Sequence, residues 1–282
     1  MADKTKECSY CCKKILGVSL LVCICTGFST RAYCEQQYLQ IMHENKVNKT
    51  QPVQKQYSKV SQPVKPVQTK TTPVNASNTA SVNQAECDKY YNLGMSQADE
   101  NNMYGALTSF TRALDNNPNS AKVLKARGQV KNNLGDYRGA IQDLNKGISL
   151  KADGDMYYLR GFSKLAMQNY PEAVKDFNKA IELTATNDMA YHRRGYSYCL
   201  WGKSTNTRQY FSMSLGDFNK AIQLNPKNTE AYLYRGMAKA ELEGASKGLA
   251  DIEYAMNEFK KQGDTNNYQT SVQIYNWIKQ SY

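Results

Sequence analysis

Gly202-Lys203-Ser204-Thr205 is the stretch with the most direct chemical promise, because Gly-Lys-Ser/Thr closes loops that wrap phosphate. Such a loop also needs a glycine five residues earlier and a place between a strand and a helix, where backbone N–H groups curl around the anion. Here Ser197 stands five residues before Gly202, and the preceding MAYHRRGYSYCLW has helical spacing. Nucleotide binding is not expected, and GKST reads as the end of a helix followed by an inserted loop. Other chemistry is equally thin. His43 and His192 are the only two histidines. Cys8, Cys11 and Cys12 begin like half of a zinc site, but no second pair of close ligands follows. His192 and Cys199 are seven residues apart, about 10 Å along one helix, too far for a Cys–His pair. No Ser-His-Asp set or paired carboxylates stand out. The expectation is no enzyme activity, no metal and no cofactor.

The elements that would position any site divide unevenly by charge. The chain carries a formal net charge of +11, with 11 Lys/Arg against 4 Asp/Glu in residues 1–85 and 25 against 21 in residues 86–282. Basic tails attract nucleic acid, anionic lipid or acidic polymers without specificity. Lys13 and Lys14 precede the uncharged apolar run ILGVSLLVCICTGF, Ile15 to Phe28, which Arg31 closes. Its length suits a signal-peptide core, and Thr30 and Ala32 fit a cleavage site. Residues 1–32 are expected to be a signal peptide or a signal anchor, so the protein is exported across a membrane or tethered to it through residues 15–28. Residues 33–86 read as a disordered linker. Within it, Asn45 to Ala85 has six Lys, four Pro and no acid, too little apolar surface to offset the entropy of ordering.

The rest repeats itself. DFNKAI occurs at Asp176–Ile181 and again at Asp217–Ile222, and DLNKGI at Asp143–Ile148. Aligning on these hexamers gives five units, 87–120, 121–153, 154–187, 188–228 and 229–262. Each reads as two amphipathic helices. Pro118 and Pro226 end the second helices of their units. Gly94, Gly128, Gly161, Gly195 and Gly236 share one register of the first helix. Ala106, Ala140, Ala173, Ser214 and Gly248 share one register of the second. A helical Gly costs about 1 kcal/mol relative to Ala, so five in one register imply close packing. Residues 263–282 form a helix capped by Asp264 or Thr265, with Tyr268, Val272, Tyr275 and Ile278 on one face, and cover the last open end of the stack.

Leu93-Gly94, Ala106, Phe110, Ala113 and Pro118, with their counterparts downstream, make residues 87–262 resemble the tetratricopeptide repeat (TPR) family. Arg stands where Leu is usual before Gly in units two to five, and unit five has Gly248 for Ala and no terminal Pro. The resemblance implies an all-α, right-handed superhelical solenoid of about five helix-turn-helix repeats with a C-terminal capping helix. It also implies a concave groove that takes a protein or peptide ligand, lined by Tyr91, Lys125, Gln129, Tyr158, Phe162, His192, Arg193, Tyr196, Tyr234 and Met237. Tyr91 and Met95 occupy places where the family's chaperone-binding members use Lys and Asn to clamp a carboxylate, so that ligand class is not expected. Nor is a specific nucleic acid. The alternative is a surface or envelope protein whose basic linker holds an anionic polymer or membrane, with the repeats as spacer.

One pairing is legible without the family. Units two to five carry Arg127, Arg160, Arg194 and Arg235 before the glycine, and Asp143, Asp176, Asp217 and Asp251 in the second helix; unit one has Leu93 and Ser109. Their joint presence and absence predicts Arg–carboxylate pairs, within or between units. Unit four is about seven residues longer than the others, an excess assigned to a loop beginning at GKST, whose deletion over Ser204–Tyr210 would leave folding intact.

Overall fold

The structure, a computed structural model, describes residues 83–281. The signal or anchor segment, and the linker up to residue 82, lie outside them. Among the described residues the chain forms eleven helices and no strand: α1 (Gln84–Asp99), α2 (Met103–Asn116), α3 (Ala121–Asn133), α4 (Tyr137–Leu150), α5 (Gly154–Ala166), α6 (Tyr170–Leu183), α7 (Asp188–Thr205), α8 (Arg208–Leu224), α9 (Thr229–Glu243), α10 (Ala245–Lys261) and α11 (Thr265–Ser281). α1 begins at Gln84, three residues ahead of the expected start of the repeats.

The chain punctuates these helices by local chemistry. Asn83, Asn102, Asp136, Asp153, Asn187 and Asn228 each precede a helix, and each side chain accepts a first-turn backbone N–H, satisfying a donor that the helix itself cannot. The turn inside every pair holds one left-handed residue: Asn101, Gly135, Gln168, Asn206 and Gly244.

Each first helix packs on the second helix of its pair and on the second helix of the pair before. The glycine register explains how close they come. A Cβ at Gly94 would lie 2.6 Å from the Phe110 ring, one at Gly161 3.0 Å from Phe177, and one at Gly236 2.6 Å from Ile252. Phe110, Leu144, Phe177, Phe218 and Ile252 fill that register from the second helices, and all are fully buried. First helices of consecutive pairs also touch one another. The row α1, α3, α5, α7, α9, α11 therefore forms the inner side of a TPR-like solenoid.

The predicted Arg–Asp pairs form within each pair of helices. Arg160 Nε and Nη2 donate to the two oxygens of Asp176 at 2.9 and 2.6 Å, and Arg127–Asp143, Arg194–Asp217 and Arg235–Asp251 repeat that fork. The remaining nitrogen of the arginine reaches backward. Arg160 Nη1 donates to Asn145, Arg194 Nη1 to Asn178 and Arg235 Nη1 to Asn219, at 2.7, 2.7 and 3.0 Å. The recurring Asp-x-Asn of the hexamers thus has two roles: Asp holds the arginine of its own pair, Asn the arginine of the next. Lys131, Lys164 and Lys239 each add a second cation to the carboxylate of their pair at 2.8 Å. In the first pair a neutral bond replaces the ion pair, Ser109 Oγ donating to Gln97 at 2.6 Å. At the other end Tyr275 Oη of α11 donates to Glu253, in the asparagine register of α10, at 2.8 Å.

Two expectations need correction. The excess of the fourth unit is not a loop. α7 has 18 residues and α8 has 17, against 13 and 14 for α5 and α6, and only Asn206 and Thr207 separate them. Seven residues add about one turn to each helix, so the packing phase is kept. Tyr210 stacks on Trp201 with ring centroids 4.2 Å apart, and Arg208 donates to the carbonyl of Leu242. Residues 204–210 are therefore the ends of two helices and the tight turn between them, tied down through Tyr210 and Arg208, and not an inserted loop. The buried face of α11 also differs from the one expected. Thr270, Ser271, Ile274 and Ile278 are buried, whereas Tyr268, Val272 and Tyr275 are half-buried. Asp264 caps the helix, its Oδ1 accepting the Asn267 N–H at 3.0 Å.

Candidate functional site

GKST forms the last turn of α7. Carbonyl groups, not N–H groups, point out of that end, so its dipole repels anions. Ser204 and Thr205 hydroxyls both donate to the Trp201 carbonyl at 2.9 Å. Lys203 turns inward, 3.5 Å from Glu241 and 4.5 Å from the centre of the Trp277 ring. None of this cradles a phosphate.

Cys199 and His192 face different neighbours. The Cys199 thiol bonds Ser214 Oγ at 3.2 Å, and burial pushes its pKa up to about 12, which leaves it protonated and inert. The His192 ring packs beside Phe218 and Tyr234, with centroids 6.0 and 5.7 Å away. Among the described residues no group of His, Cys, Asp or Glu could hold a metal ion, and no helix is long and apolar enough to cross a membrane.

On the inner row, the first-helix positions flanking each glycine bring six of the ten groove candidates together. Tyr158 and Phe162 come from α5, His192, Arg193 and Tyr196 from α7, and Tyr234 from α9. The Arg193 guanidinium lies 5.8 Å from the centre of the Phe162 ring. Tyr196 and Tyr234 are 4.6 Å apart, centre to centre. Glu230, in the first turn of α9, joins them, 3.7 Å from Arg193 and 3.6 Å from His192. Burial opposes the charge on Arg193, but Glu230, Tyr158 and Tyr234 more than restore it, so the guanidinium stays a cation. Burial holds the Tyr196 phenol well above its ordinary range. Tyr158 and Phe162 are half-buried; His192, Tyr196, Tyr234 and Met237 are buried.

The other candidates stand apart. Tyr91 belongs to the first pair, its ring 6.0 Å from Phe110 and beneath Lys122. Lys125 is engaged by Asp153 and Asp155 at 3.2 and 3.1 Å. Gln129 is exposed. Sequence reasoning missed Glu230. Its signal is spacing, since it precedes Tyr234 by four residues and so shares that face of the helix.

Residues 121–153 and 154–187 match the family described as tetratricopeptide repeat. Solved structures share the fold. A MamA protein is 20% identical with a TM-score of 0.53, covering 64% of this chain and 95% of its own. YrrB, described as a TPR protein with an unusual peptide-binding site, is 19% identical with a TM-score of 0.52, covering 68% and 93%. TTC0263, a TPR protein of Thermus thermophilus, is 16% identical with a TM-score of 0.53, covering 66% and 98%. No curated protein matches the chain.

Proposed function

We propose that this protein is a non-catalytic interaction scaffold that takes an extended protein segment along the inner face of its first helices, centred on α5, α7 and α9. The observation that carries this reading is that the half-buried Tyr158, Phe162 and Arg193 of two consecutive pairs meet on that face, backed by the buried rings of Tyr196 and Tyr234. Aromatic rings and arginine dominate the energetics of protein interfaces. YrrB, which shares the fold, is described as a TPR protein with an unusual peptide-binding site, in keeping with a peptide as the ligand. On this reading residues 1–32 export or anchor the chain.

The test is selection of peptides from a display library on the full chain, followed by titration of one selected peptide against variants. Phe162→Ala weakens it several-fold, while Tyr254→Ala on α10, an exposed side chain, leaves it unchanged. Equal affinity for both variants removes the inner face from consideration. The charge imbalance of residues 1–85 favours a second reading, in which the linker binds an anionic polymer. Binding of that kind collapses at high salt, whereas peptide binding at the aromatic cluster persists.

A further inference from the structure

The four Arg–Asp forks differ in one respect. Asp143, Asp176 and Asp251 each face two cations, an arginine and a lysine one helical turn further along the same first helix. In the fourth pair the lysine register holds Tyr198, whose ring stacks against Tyr210 at 6.0 Å. Asp217 is 7% exposed, as buried as its counterparts in the second and third pairs, yet Arg194 is its one cation among the described residues. A buried carboxylate pays for desolvation unless its charge is matched, and two cations match it better than one.

We propose that the fourth pair is a proton-operated joint, in which acid discharges Asp217 before Asp251 and loosens its grip on Arg194 while the solenoid stays folded. The titratable and charged groups facing Asp217 lie on α7: Arg194, Tyr198 and, behind them, Cys199. From α6 the amide of Asn178 holds the far side of Arg194. From α9, Arg235 is committed to Asn219 and Asp251. Burial lifts the Asp217 carboxyl above its ordinary value despite Arg194. The folded chain therefore binds this proton more tightly than the unfolded chain, and uptake at Asp217 does not cost stability. Once Asp217 is discharged, Arg194 keeps Asn178 and its stack on Tyr191, so the tie to the preceding pair survives, while the two-pronged ion pair within its own pair falls to a single bond on the remaining carbonyl oxygen.

The test is a carboxyl NMR titration of the full chain labelled with 13C at aspartate, with Asp217→Asn and Asp251→Asn fixing the two assignments. Asp217 is expected to titrate at higher pH than Asp251. Tyr198→Lys, which restores the second cation, lowers the Asp217 midpoint. Lys239→Tyr raises that of Asp251, and reports on the same principle if Tyr198→Lys fails to fold. An Asp217 midpoint at or below that of Asp251, a midpoint that neither swap moves, or unfolding within the Asp217 transition overturns the proposal.

Discussion

Arg194 grips Asp217 with the same two-pronged bond that joins Arg160 to Asp176, although 23 residues of chain separate the first pair and 16 the second. The difference of seven residues is two helical turns, one gained by each helix. The longer unit thus lies in register with its neighbours, and its arginine still finds Asn178 behind it.

That fork makes Asp176 a sharp test of the ladder. Asp176→Ala strands Arg160 and Lys164 beside a buried, empty place. One-sided loss of a buried pair costs about 3–5 kcal/mol. Asp99→Ala, at an exposed position, changes stability by less than about 0.5 kcal/mol. Urea unfolding midpoints of the two variants measure the difference, and equal shifts would show that the fork contributes nothing.

Two glycines predict opposite outcomes for the same substitution. A Cβ at Gly236 would lie 2.7 Å from the Gly248 carbonyl and 2.6 Å from Ile252, whereas one at Gly216 meets nothing within 4 Å. Gly236→Ala is expected to destabilise by about 1–3 kcal/mol through overpacking. Gly216→Ala, inside α8, is expected to stabilise by about 1 kcal/mol. Thermal melting of both variants decides the signs.

Acid should cost the fifth pair what it does not cost the fourth. Burial pushes the Asp251 carboxyl up, but Arg235 and Lys239 outweigh it, and its pKa lies below the ordinary value. The stabilisation it confers is fully present above about pH 4 and is lost as pH falls through the folded-state value. Asp251→Asn should lose less stability than the wild type between about pH 6 and pH 3. Urea midpoints at both pH values measure it, and parallel losses would exclude the coupling.

Cys87 and Cys199 are buried, and the Cys199 thiol is held protonated up to about pH 12. Neither should react with iodoacetamide at pH 8 until the chain is unfolded in urea. Peptide mapping by mass spectrometry reads each cysteine separately, and rapid labelling of Cys199 in the folded chain would contradict the packing around Ser214.

The sequence made the pairing legible because Arg and Asp appear and vanish together across the five units. It did not reveal the asparagine that completes each brace. Asn145, Asn178 and Asn219 sat in full view inside the hexamers used for alignment, but neutral polar residues carry no charge correlation to follow. The extension of α7 and α8 was hidden for a different reason. Gly202, Ser204, Thr205 and Asn206 favour turns locally, and the packing of Trp201 on Tyr210 and of Lys203 on Trp277 overrode them. At the candidate site, family register placed the aromatic residues near one another. Glu230 escaped because it lies outside the positions that register marks.

The backward reach of each arginine makes neighbouring pairs mechanically unequal. Three junctions are braced by an arginine–asparagine bond of 2.7–3.0 Å, whereas the first has Arg127 on the Thr111 hydroxyl at 3.4 Å. In a linear array where each module touches only its neighbours, opening spreads from the weakest boundary. The first boundary is held besides by Lys122 on Asp88, an exposed ion pair at 2.6 Å; salt screens such a pair, so added salt is expected to loosen α1 and α2 before the junctions braced by asparagine.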